Sequence, residues 1–308
     1  PQADISLLGP YDTMSLEKTS EVYDQLVDLK NFTFLFNPPT CQGYDAGLLL
    51  LLIVSSKPTN FANRMVIRHT WGVSLDSMKL VFLLGETVNS TTSQEITRES
   101  RLYDDIVQGN FVDAYRNMTY KHVMGLKWVT HHCPMVKYIV KTDDDTVVNI
   151  YEVWKFLRDV LSPFGTKGLI ACHLYKETRV ERTGNSKWKV TLQEYKDYYF
   201  PSYCAGWALI YSQDVVPQLL QVAQSLPYFW IDDVHITGIC ARTIGASHLT
   251  LGDLMLTRDK TDRLIQLGPQ QFGPFLFGPP DLTISNMLKI WYSLTNEYYL
   301  TPRKPNDI

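Results

Sequence analysis

Val136-Lys137-Tyr138-Ile139-Val140-Lys141-Thr142-Asp143-Asp144-Asp145 decides how the rest of the chain is read. A short, mostly apolar run ends in three consecutive carboxylates. The apolar part reads as a strand buried on both faces, as in a parallel sheet. Adjacent acids repel one another, so placing them at the exit of a buried strand costs stability unless positive charge sits there. A hard divalent cation, Mg²⁺ or Mn²⁺, takes oxygen ligands and usually binds together with substrate phosphates. In open α/β sheets, ligands bind at the carboxyl ends of strands. One reading is therefore a cation–diphosphate site. The other is an acidic, solvated turn or helix start.

Working outward, 47–54 is a first buried strand and 79–84 a second, with helices expected over 61–72, 94–107 and 111–133. Downstream come a helix over 150–160, a strand at 168–173, an aromatic-rich strand at 203–211 and a helix at 212–224. A helical stretch opens at Val234, a last strand is expected at 252–256 and a docked helix at 284–292. The order strand, helix, strand, helix, helix, strand, helix predicts an α/β domain with a largely parallel sheet. The expected division is a stem over 1–45 with a helix at 15–29, a catalytic domain over 46–265 and a C-terminal extension over 266–308.

Two further groups carry chemical interest. If 61–72 is helical, Arg64 and Arg68 lie one turn apart on one face. Such a pair can clamp a diphosphate; taken alone, it reads first as a solvated basic face. Asp232-Asp233 follows Tyr228-Phe229-Trp230 at a helix start. Capping explains one acid there comfortably. Two behind large aromatics suggest a general base in a sugar pocket. Trp188, Tyr203, Trp207, Tyr228, Phe229 and Trp230 are candidates to stack on pyranose faces, though most such aromatics belong to cores. Gly206 would permit close approach of a ligand.

The 308 residues carry a formal net charge of −3, which gives no sign of nucleic acid or membrane-surface binding. The most apolar segment, 46–54, is too short to span a bilayer, and a targeting segment is expected to precede Pro1. Asn31, Asn89 and Asn117 each open an N-glycosylation triplet. Cys41, Cys133, Cys172, Cys204 and Cys240 lack close metal-ligand spacing. They fit either two disulfides and one leftover thiol in an oxidising lumen, or buried free thiols in a reducing compartment.

Several stretches together resemble the Golgi β-1,3-glycosyltransferase family, of β-1,3-galactosyltransferases and β-1,3-N-acetylglucosaminyltransferases. Arg64 to Gly72 resembles its R-x-x-I-R-x-[ST]-W-G signature, and Phe111 to Lys121 its F-x-D-x-Y-x-N-L-T-x-K segment. Lys141 to Asp145 resembles K-x-D-D-D, Phe200 to Gly206 resembles Y-P-x-Y-C-x-G, and Asp232-Asp233-Val234 resembles [ED]-D-V. The resemblance covers roughly 47–258. It implies a GT-A fold and an inverting transferase that takes UDP-galactose or UDP-N-acetylglucosamine, normally with Mn²⁺, to the 3-hydroxyl of a glycan on glycoprotein or glycolipid. By the matched motifs Asp145 would ligate the metal. Arg64, Arg68, Asp113, Lys121, Asp143 and Asp144 would line the donor. Asp233 would be the catalytic base, with Asp232 the alternative. A Golgi-luminal protein behind a type II membrane anchor is implied, with disulfides Cys41–Cys133 and Cys204–Cys240. The family's late histidine, a second metal ligand, has no counterpart. His248 could take its place, Asp145 could hold the metal with water and diphosphate alone, or Arg258 could replace the metal's charge and make Mn²⁺ dispensable. A catalytically silent glycan- or UDP-binding partner is the rival reading. Residues 266–308 would cover the acceptor cleft or support a homodimer.

Overall fold

The computed structural model describes residues 23–41, 47–73, 75, 77–267 and 273–300. After a small hairpin, β1 (Gln25–Leu26) and β2 (Leu29–Lys30), the described residues build one eight-stranded sheet. Its strands are β3 (Phe34–Phe36), β4 (Leu50–Ser55), β5 (Met78–Glu86), β6 (Ile106–Val112), β7 (Tyr138–Asp143), β8 (Leu169–Tyr175), β9 (Tyr203–Ser212) and β10 (Ser247–Thr250). The order is β10-β8-β9-β7-β4-β5-β6-β3; β9 and the edge strand β3 run antiparallel to their neighbours and the other pairings are parallel. The α/β expectation with a mixed, mostly parallel sheet therefore holds.

β4 sits at the centre and is buried throughout. Because side chains alternate along a strand, its residues feed two different cores. Leu50, Leu52 and Val54 pack with α1 (Phe61–His69), the helix α4 (Ile150–Lys155) and the C-terminal part of the chain; Leu51 and Ile53 pack with α3 (Met118–His132) and α5 (Val215–Ser225). Between β5 and β6 lies α2 (Ser90–Tyr103), capped by the Asn89 side chain, which accepts from Thr92 N–H at 3.0 Å. After β9 and α5, a π-helical run, Val234–Cys240, leads into the short α6 (Ala241–Ile244). The chain closes with α7 (Arg258–Leu267) and α8 (Ile284–Leu300).

The structure corrects several expectations. The described part of the 15–29 helix is the β1–β2 hairpin, with residues 1–22 outside the described set. The stem is not merely docked. Leu26, Val27 and Phe32 are core residues, and β3 extends the sheet. β6 lies where the sequence suggested the end of one helix and the start of the next. The last strand is 247–250, and 252–254 forms a 3₁₀ turn instead. The extension also enters the core, through Phe275, Leu276, Phe277, Met287 and Ile290.

Cys41–Cys133 is bonded as expected. The second pairing was wrong: Cys204 bonds Cys172, and Cys240 is a buried free thiol. The reason is strand adjacency. β8 and β9 are antiparallel neighbours, and the irregular register after Cys172 sets Leu174 opposite Cys204, which brings the two Cα atoms to 5.6 Å, within bonding range.

Candidate active site

The acid triplet leaves β7 at the sheet's carboxyl end, with Asp143 in register beside Ser55 of β4. The three carboxylates face different surroundings. Asp144 turns inward and accepts from Ser56 Oγ at 2.5 Å and Asn60 Nδ2 at 2.9 Å. It braces the loop after β4 and is not open to a ligand, contrary to its expected donor contact. Asp143 is more open than Asp144, its side chain 33 % exposed, with Lys141 Nζ 3.3 Å away. Asp145 is half-buried, and its Oδ1 is buried without a hydrogen-bond partner. Burial first, then the charges of Asp143, Asp144 and Asp281, push its carboxyl up to about 6. An orphaned carboxylate oxygen amid excess negative charge fits a hard divalent cation, because such ions bind through one or two carboxylates and complete their shell with phosphate and water. Among the described residues there is no group of three or more His, Cys, Asp or Glu that could hold a metal ion.

The second acid pair meets the first through Lys141. This lysine stands in the middle of β7, almost fully buried. It donates to Gly206 O at 2.6 Å and lies 3.9 Å from Asp232 as well as beside Asp143. Burial opposes its charge, but Asp143, Asp232 and Asp233 outweigh that and keep it protonated. His122 of α3 completes the frame, its Nδ1 at 2.8 Å from Asp232 Oδ2 and its Nε2 at 3.0 Å from the Tyr211 hydroxyl. Burial lowers the proton affinity of this histidine. A neutral ring that donates from Nδ1 to Asp232 and accepts from Tyr211 at Nε2 satisfies both contacts. Burial works against an ionised Asp232 too, yet Lys141 and His122 hold its carboxyl well below the usual range. Asp233 goes the other way. Burial, then the neighbouring Asp232 charge, raises its proton affinity, against the Val234 and Gly206 N–H groups that bond it.

Aromatic side chains surround Asp233. Tyr115, Tyr175 and Tyr203 all feel its charge, and burial is the main cause of their raised proton affinities. Trp188, 54 % exposed, hydrogen-bonds Tyr115. Phe229 and Trp230 belong to a core cluster with Val180, Val190 and Phe200. The Tyr228 hydroxyl donates to Arg116 O, and Trp207 packs against the main core. Of the six aromatics singled out in the sequence, Trp188 is the most exposed to solvent, with Tyr203 next to Asp233.

Comparison with known proteins fits this geometry. A family model described as Galactosyltransferase matches residues 62–251. The β-1,3-galactosyltransferase 5 of Gorilla gorilla gorilla is 35 % identical over 215 residues, covering 68 % of this chain and 70 % of that protein. Human β-1,3-galactosyltransferase 2 is 30 % identical over 249 residues, 76 % of this chain and 58 % of that protein. Human β-1,3-galactosyltransferase 9 is 32 % identical over 222 residues, 71 % of this chain and 59 % of that protein. The chain belongs to the galactosyltransferase family. Its sheet and flanking helices form a GT-A-like fold, and the relatives place it among the β-1,3-glycosyltransferases.

Within this galactosyltransferase fold, several residues expected at the donor are occupied elsewhere. Arg64 is fully buried; it pairs with Glu99 at 2.6 Å and donates to Lys57 O and Ser56 Oγ. Arg68 binds Glu99 and Asp105 and lies over the rings of Phe82 and Tyr103. These guanidiniums tie α1 to α2 and to the loop after β4, and their donors are spent inside the protein. Asp113 and Lys121 do reach the site's end of the sheet, but as a nearly buried pair at 2.8 Å that also binds Gly85 N–H and Ser56 O. His248 lies on β10, three strands from β7, roughly 14 Å at ordinary strand spacing. Its Nε2 is 2.7 Å from Thr237 O, so it is not brought to Asp145. Arg258 sits at the rim, 61 % exposed at its side chain and paired with Asp281. Asn31 and Asn89 are exposed; Asn117 is half-buried, with Nδ2 donating to Val112 O. Sequence reading missed the roles of Lys141, His122 and Tyr211. A lysine inside an apolar strand was the available signal, because a buried charge demands a partner.

Proposed function

We propose that the protein is an inverting β-1,3-glycosyltransferase that moves galactose or N-acetylglucosamine from a UDP-sugar to the 3-hydroxyl of a glycan acceptor on glycoprotein or glycolipid. The observation that carries this is Asp233: a carboxylate of raised proton affinity, lodged against Gly206 and joined through Lys141 to the acids of the β7 exit. A base serves best when its pKa lies near the working pH. Asp233 takes the proton of the acceptor hydroxyl as that oxygen attacks the sugar C1. The C1–O bond to the diphosphate breaks with its electron pair on UDP, and the anomeric configuration inverts. Lys141 and His122 keep Asp232 ionised, which holds Asp233 ready for the proton. Trp188, Tyr115 and Tyr175 form the open wall against which the acceptor would lie. Asp145 would hold Mn²⁺, whose charge would offset that developing on the leaving diphosphate. Among the described residues no helix is long and apolar enough to cross a membrane. A luminal Golgi setting behind an upstream anchor accords with the family and the two disulfides.

UDP release from UDP-galactose and UDP-N-acetylglucosamine, with galactose- and N-acetylglucosamine-terminated acceptors, with Mn²⁺ or with EDTA, tests the reading. Acceptor-dependent release that Asp233→Asn lowers by about 10²–10⁴-fold, with UDP affinity retained, is expected. Wild-type turnover in that variant overturns the base assignment, and UDP binding without transfer to a broad acceptor set points to a silent binding partner.

A further inference from the structure

Residues 276–282, ahead of α8, wrap the acid turn. Gly278 N–H donates to Val147 O at 2.7 Å, Thr146 Oγ1 to Gly278 O at 3.0 Å and Leu282 N–H to Asp145 O at 2.8 Å. At the outer end of this clasp Asp281 adopts a left-handed backbone, φ 58°. That conformation is costly for most side chains and is tolerated best by Asn and Asp. Because the next residue, Leu282, bonds Asp145 O through its N–H, Asp281 stands beside the acid turn, where its charge opposes ionisation of Asp145. Arg258 Nη2 holds the Asp281 carboxylate at 3.0 Å and donates to Pro280 O at 3.1 Å. Both side chains are largely exposed, 61 % for Arg258 and 70 % for Asp281, and exposed pairs of this kind are weak and readily exchanged.

We infer that Asp281 is the second carboxylate of the cation–diphosphate site, and that Arg258 is its latch, holding Asp281 when the site is empty and turning to the diphosphate when donor enters. The inference rests on the transferase reading above. Without a cation, the clasp sets a negative charge beside a carboxylate that already lacks a partner for one oxygen. With a cation between them, the repulsion becomes shared coordination. His248 cannot fill this role from β10, whereas Asp281 adjoins Leu282, whose N–H bonds Asp145 O. A guanidinium released from Asp281 suits phosphate oxygens, which it can grip through two N–H groups.

The test is direct Mn²⁺ binding by calorimetry and electron paramagnetic resonance, with and without UDP, on wild type, Asp145→Asn, Asp281→Asn and Arg258→Gln. Asparagine tolerates the left-handed backbone, so Asp281→Asn leaves the clasp in place; metal-free melting temperatures check this. Asp145→Asn and Asp281→Asn are each expected to weaken Mn²⁺ by about tenfold or more, since even outer partners of a metal contribute on that scale. Arg258→Gln frees Asp281 and is expected to tighten Mn²⁺ alone while weakening UDP. Wild-type Mn²⁺ affinity in Asp281→Asn, with loss in Asp145→Asn, overturns the role of Asp281 and leaves the transferase site standing. Wild-type affinity in Asp145→Asn overturns the cation site itself. Unchanged Mn²⁺ and UDP affinities in Arg258→Gln overturn the latch.

Discussion

Asp233 can stand where it does because residue 206 has no side chain. A Cβ built at Gly206 would lie 3.1 Å from Asp233 Cβ, tighter than ordinary contact. Gly206→Ala is therefore expected to push the carboxylate out of line. Kinetics should show kcat reduced by up to about 10²-fold, the scale of an ångström-sized misplacement, with UDP affinity little changed; a wild-type kcat would separate Asp233 from the chemistry. The acid pair also predicts a pH profile. Asp233 must be ionised to accept a proton, and its proton affinity is raised to about 7. Activity should therefore fall as pH drops through neutrality. Asp232→Asn removes the neighbouring charge that raises it, so the acid limb should move to lower pH by about a unit or more while turnover persists. Loss of all turnover in Asp232→Asn would instead make Asp232 the base. The same raised affinity works on stability with a definite sign. Protonated Asp233 favours the folded state below the ordinary carboxylate pKa, and that contribution is lost as pH rises toward 7. Asp233→Asn should gain thermal stability relative to wild type between pH 4 and 7, with the difference level above that. Gly206 was singled out in the sequence for close approach by a ligand; the approach is real, but the visitor is Asp233. No local pattern marks which residue will sit 3 Å from a glycine in a distant strand.

At the scale of elements, α1 shows how one motif admits two physical roles. Arg64 and Arg68 do lie one turn apart, as the periodicity required. Their shared target is Glu99 of α2, a helix whose sequence is mostly polar. Nothing local distinguishes a guanidinium waiting for a diphosphate from one waiting for a buried glutamate, because both partners offer the same paired oxygens. Arg68→Met discriminates them. Leaving Glu99 and Asp105 short of a partner inside the protein should cost about 3–5 kcal/mol in urea unfolding, with UDP affinity of the folded fraction unchanged. A large loss of UDP affinity at wild-type stability would restore Arg68 to the donor. The continuous strands β4 and β7 were legible because burial on both faces leaves an unmistakable apolar run. β6 was not, since Gln108, Gly109 and Asn110 interrupt it and its burial comes from neighbours supplied by distant parts of the chain. The Cys172–Cys204 bond was hidden for the same reason, as strand order sets it and spacing does not.

Over the whole molecule, the acid turn is held between two parts of the chain that the sequence set apart as domain and extension. From one side β4 and the loop behind it brace Asp144; from the other, Leu276, Phe277 and Gly278 run along 147–149. Phe277 is fully buried in the same core as Leu52 and Trp71, so the extension is part of the enzyme's body and its loss should reach the site. Phe277→Ala tests this with a single side chain. A large buried ring removed from a packed core costs about 3–5 kcal/mol, and here the residue is paired with Val148, just past the turn. The expected result is a destabilised but folded protein in which hydrogen exchange quickens at the amides of Asn149 and Gly278, whose bonds join the two parts. Exchange in β5, on the far side of β4, should change only as much as global stability does. Mn²⁺ and UDP affinities should fall together, because Asp145 and Asp281 would no longer be held in one arrangement. Uniformly faster exchange across the sheet, with ligand affinities of the folded fraction intact, would show that the extension contributes packing alone and that the acid turn keeps its shape without it.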